Sequence, residues 1–151
     1  MPKRILSVLT CCLLLCVSCI SASAQASDEV ISEKTIVLEN GDRITETITV
    51  HPSLGRGSGG NYADKTWEYE TIKGIDWTYT IGGYFTWNGV SSSASDPYDD
   101  YTINDSGWTC TSHSVRAAGP SVVGKATFHH FSGMNKIPNP VLTCSANGDF
   151  S

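Results

Sequence analysis

The sequence predicts an all-β protein, an antiparallel β-sandwich or open barrel, preceded by a cleaved N-terminal signal peptide helix. Three observations predict it. Short stretches rich in β-branched and aromatic residues recur after residue 60, separated by Gly, Pro and Asn-Gly punctuation. Trp77-Thr78-Tyr79-Thr80-Ile81 alternates with the period of a half-buried strand. Beyond the first residues, no window sustains an apolar stripe of helical period.

The start of the chain has the layout of an export signal. Lys3 and Arg4 precede an apolar run over residues 5–20, and the small residues Ser21-Ala22-Ser23-Ala24 follow. Cleavage is expected before Gln25, with Ser27 as the second position. The apolar run falls short of the roughly 20 residues that a membrane-crossing helix needs, and no later stretch is apolar enough to anchor the chain. Four of the six cysteines, Cys11, Cys12, Cys16 and Cys19, lie inside this segment. A lipid-anchored surface form through Cys16 or Cys19 is the weaker alternative, because the triplets Leu13-Leu14-Leu15 and Cys16-Val17-Ser18 fit a lipoprotein signal poorly. Removing Lys3 and Arg4 takes the formal net charge from −5 to −7. Such an acidic surface repels phosphate backbones and anionic headgroups, so neither nucleic acid nor electrostatic docking on a membrane is expected, and the run lengths give no expectation of a stable membrane span. The expected location is extracellular, and the expected divisions are residues 1–24 as signal, 25–60 as linker and peripheral hairpin, and 61–151 as the β-sandwich domain.

In the mature chain, Gln25 to Lys34 is polar and without clear period. Residues 35–38 and 44–50 flank Asn40-Gly41, a pair suited to a tight hairpin turn with Leu38 opposite Arg43. Glu46 falls beside Ile44 and Ile48, so this hairpin lacks a clean apolar face and reads as peripheral. Residues 51–60 hold glycine or proline at half their positions and mark a boundary. The second Asn-Gly pair, Asn88-Gly89, places Trp87 opposite Val90 and Phe85 opposite Ser92, with Phe85, Trp87, Val90 and Ala94 on one face. After a polar loop at residues 95–100, further strands are expected at 101–103, 108–115, 122–130 and 141–144, and Asn147-Gly148 lets the last residues turn back.

Cys110 and Cys144 fall in separate predicted strands, and in an exported protein they are expected to form one disulfide. The alternative is a pair of buried thiols. Metal binding through them is not expected, since neither has a C-x-x-C partner. Arg56-Gly57-Ser58-Gly59-Gly60 departs from a nucleophile elbow at its leading glycine and reads as a flexible loop. His113 and His129 share a site only if their strands are neighbours, and His129 and His130 point to opposite faces of one strand. Asp96, Asp99, Asp100, Asn104 and Asp105 offer oxygen ligands, but their spacing misses the calcium-loop pattern and a solvated acidic loop is the default. The densest chemistry is aromatic, from Trp67 to Trp87. Exposed Trp and Tyr faces stack on sugar rings, and Trp67, Tyr69 and Tyr84 are the candidates for exposure. Strands also favour aromatics in their cores, which is the competing explanation.

The motifs Asp76-Trp77-Thr78-Tyr79, Gly83-Tyr84-Phe85-Thr86-Trp87-Asn88-Gly89, Ser106-Gly107-Trp108 and Leu142-Thr143-Cys144-Ser145-Ala146-Asn147-Gly148 resemble a type of small, uncharacterised secreted β-rich protein of Gram-positive bacteria. The resemblance covers roughly the last half of the chain. It implies export and a β-rich fold, and it brings no activity and no site residues. The residues point to a secreted binding protein of unknown ligand, with a glycan or cell-wall component as the candidate partner; no cofactor is expected, and the lack of a recognisable catalytic motif argues against an enzyme. A bacteriocin-like toxin acting on competing bacteria is the alternative.

Overall fold

A computed structural model describes residues 27–52 and 59–151. The expected signal segment and Ser58 lie outside the described residues. The described chain is built from strands β1 (Glu29–Val37), β2 (Arg43–His51), β3 (Gly60–Thr71), β4 (Gly74–Trp87), β5 (Ser92–Ile103), β6 (Trp108–Ala118), β7 (Ser121–His130), β8 (Asn135–Lys136) and β9 (Val141–Thr143). A five-stranded sheet runs in the order β1-β2-β3-β4-β5, and a second sheet runs β6-β7-β8 with β9 also paired to β7. Every ladder is antiparallel. The sheets face one another as an open sandwich, and neither closes into a barrel.

The first hairpin is continuous with the larger sheet. β2 pairs with β3 along its whole length, so only β1 is peripheral. Its turn contains three residues, with Gly41 at φ 87°, and pairs Val37 with Arg43, one residue away from the expected register. A type I turn closed by a left-handed glycine explains the shift. At the second Asn-Gly, Asn88 Oδ1 accepts from the Val90 and Ser91 amides and widens the turn to four residues. Trp87 then faces Ser92 and Phe85 faces Ala94. This shift of two positions keeps Phe85, Trp87 and Ala94 inward but leaves Val90 exposed in the turn. The expected polar loop at residues 95–100 is instead part of β5. The long β4 supplies its ladder, while a register shift near Gly82 and Asp96 at φ 47° accommodate Pro97 on this edge.

Trp77 lies at the centre of the sandwich, 1% exposed. Its ring stacks on Phe128 of the opposite sheet at 4.1 Å and on Tyr69 at 5.4 Å, and Trp108 meets it edge-on. Buried Asp76 ties the corner between β5 and β6: its carboxylate accepts from Trp108 Nε1 and Thr71 Oγ1, and its backbone carbonyl accepts from the Asn104 and Asp105 amides. Close approach of the sheets depends on Gly124, where a Cβ would lie 2.3 Å from Ile81 Cγ2. The rim of the smaller sheet contains Pro138 and Pro140, which cannot donate but whose carbonyls accept from Ala126 and Gly124 of β7. The last residues do turn back, and Cys144 bridges to Phe150.

Cys110 and Cys144 are free thiols, which corrects the expected disulfide. Cys110 pairs with Phe128, whereas the Cys144 amide donates to the Pro120 carbonyl. Residues 120–128 of an extended strand span roughly 26 Å, while bridged cysteines need Cα atoms within about 7 Å. Their positions in separate strands gave no information about opposite strand ends.

Candidate functional site

Strand alternation divides the larger sheet into an inner face against the core and an outer face that no other described element covers. On the inner face, Ile48, Ala63, Tyr69, Trp77, Tyr79, Ile81 and Phe85 are buried. The outer face carries rows that cross the strands. One row is His51–Tyr62–Tyr84–Ser95, the next is Thr49–Asp64–Gly82–Tyr98, and the third is Thr47–Thr66–Thr80–Asp100. Glu68, Thr78 and Thr102 continue the surface.

The tyrosines are the distinctive feature of this face. Tyr62 and Tyr84 stand opposite one another with ring centroids 5.1 Å apart and planes tilted by 54°. Tyr98 lies across the bare backbone of Gly82, where a Cβ would come within 2.3 Å of its Cζ. Its hydroxyl is 3.5 Å from Asp64 Oδ2. Burial first, and then the Asp64 charge, push the Tyr98 phenol up to about 12, so the hydroxyl stays neutral. Tyr62 is 43% exposed and Tyr98 38%, enough to present ring surface to a ligand.

His51 borders the tyrosines. Its Nε2 reaches Asp64 Oδ2 and its Nδ1 reaches Asp28 Oδ1, each at 2.7 Å. Both nitrogens can donate only in the imidazolium form. Burial lowers the His51 pKa, but the hydrogen bonds and charges of Asp64 and Asp28 outweigh it and leave the value raised. The pair thereby clamps the entry of β1 to the edge of the tyrosine patch.

Of the three aromatic candidates, only Tyr84 lies on this face. Trp67 is half-buried on the inner side, pairing with Tyr79, and its indole N–H is buried without a hydrogen-bond partner. Tyr69 is 0% exposed, stacks on Trp77 and donates its hydroxyl to Asp42. Tyr62, Tyr98, Asp64 and His51 were missed. The alternation of Tyr62, Asp64, Thr66 and Glu68 with Ala63, Trp67 and Tyr69 contained the signal, because it opposes a polar face to an apolar one.

The other constellations remain separate. His113 Nδ1 is 2.9 Å from Asp99 Oδ2, which also accepts from the Tyr79 hydroxyl. That hydroxyl is 3.2 Å from the Ser114 carbonyl, so the group joins β4 and β5 to β6. His113 pairs with Ala126, three positions from His129 in β7, so the two imidazoles point to opposite faces. His130 packs against Trp108 at 5.0 Å. Burial pushes the Cys110 thiol up, which disfavours a thiolate nucleophile there. Among the described residues, no group of three or more His, Cys, Asp or Glu could hold a metal ion, and no helix is long and apolar enough to cross a membrane. Along β5, Asp99 points inward and Asp100 outward, which divides the expected acidic cluster.

No protein-family model, curated protein or solved structure matches the chain.

Proposed function

We propose that this is a secreted extracellular binding protein that lays a glycan or cell-wall strand across the outer face of the five-stranded sheet. The observation that carries this reading is the grouping of Tyr62, Tyr84 and Tyr98 around Asp64 on the side that no described element covers. None of the four tryptophans is exposed, so the core has taken the larger rings and left tyrosines on the surface. A tyrosine offers an apolar ring for stacking and a hydroxyl for hydrogen bonding, and the neighbouring threonines add further hydroxyls.

Retention of the purified protein on insoluble cell wall and on a glycan array tests the proposal. Wild type should be retained, and the double variant Tyr62→Ala/Tyr84→Ala should lose about tenfold or more in affinity, the scale of removing one or two aromatic contacts. Growth inhibition of neighbouring bacteria without retention on either support would favour the toxin and overturn the binding reading.

A further inference from the structure

We infer that the strand held on this face carries free amino groups, as in a de-N-acetylated amino-sugar polymer. The inference rests on the proposed glycan-binding reading and adds the chemical class of the ligand. Its basis is the charge of the face beyond the tyrosines. Arg43 is engaged by Glu70 at 2.9 Å, and His51 is held between Asp28 and Asp64. Glu68 and Asp100 have no cationic partner among the described residues.

These two carboxylates flank the β4 threonines. Glu68 stands opposite Thr78 on one side, and Asp100 stands opposite Thr80 on the other. They are therefore about 10 Å apart across the strands and about 7 Å apart along them. From Tyr84 to Thr78 the face extends roughly 20 Å, a length suited to an extended polymer. The negative faces of the tyrosine rings have the same preference as the carboxylates, since both attract ammonium groups and repel anionic chains. Threonine hydroxyls between them, including Thr66 and Thr80 at 2.8 Å from each other, suit the hydroxyls of a sugar backbone.

Calorimetry with glucosamine hexamer, N-acetylglucosamine hexamer and lysine hexamer tests the inference. The full chain should bind the glucosamine hexamer at least about fivefold more tightly than its acetylated counterpart, with affinity falling as salt rises. Glu68→Gln/Asp100→Asn should abolish that difference and leave the acetylated sugar unaffected, whereas Tyr62→Ala/Tyr84→Ala should weaken both. Equal binding of the two sugars by wild type would overturn the amine preference and leave the glycan-binding reading standing. Failure to bind either sugar, together with failure to bind cell wall, would overturn both. An equal loss on Glu29→Gln/Glu39→Gln, which removes the same charge elsewhere, would show attraction by bulk charge and overturn the inference. Lysine hexamer binding as tightly as glucosamine hexamer would do the same, by identifying a basic peptide as the better ligand.

Discussion

His51 illustrates how one side chain can couple charge to structure. As an imidazolium it donates to both Asp28 and Asp64, and after losing its proton it can donate to only one. Its folded pKa is raised, so its stabilising contribution is fully present below the ordinary value near 6.5 and is lost as pH rises through the higher folded value. The thermal midpoint of wild type should therefore exceed that of His51→Gln at about pH 5.5, with the gap closing by about pH 8.5. A gap that widened with pH would contradict the clamp. Asp76 is a different case, because it is 5% exposed and fully engaged by neutral donors. Its role is to hold the corner where the chain passes from one sheet to the other.

At the scale of strands, a demanding contact across the sandwich is between β4 and β7. Gly124→Ala introduces a methyl group where Ile81 already stands, and should cost about 1–3 kcal/mol as the sheets adjust. Urea unfolding would measure this, and an unchanged midpoint would show that the interface is looser than described. Strand positions and faces were more legible in the sequence than registers. Asn88-Gly89 marked its turn correctly, but whether the Asn88 side chain would cap a wider loop depends on a local hydrogen bond that pattern cannot specify. At Asn40-Gly41 the left-handed glycine added one residue to the turn. The site was less legible, because choosing among Trp67, Tyr69 and Tyr84 required the phase of each strand relative to the core. Phe128 of the opposite sheet helps fix that phase by covering Trp77, and this contact is remote in sequence.

The molecule as a whole is held by packing across its two sheets. Tyr69, Trp77, Trp108 and Phe128 form one connected aromatic group, and no bridge joins Cys110 to Cys144. Adding a reductant should therefore leave the thermal midpoint unchanged, while a fall of several degrees would restore the disulfide. The sheet rims have a further consequence. On the larger sheet, β1 is exposed along all nine residues and contains no proline, whereas the opposite rim, β5, carries Pro97. Fibre growth by adding strands needs two receptive rims on each unit. The larger sheet offers one, so association through that sheet alone terminates when two β1 strands have met.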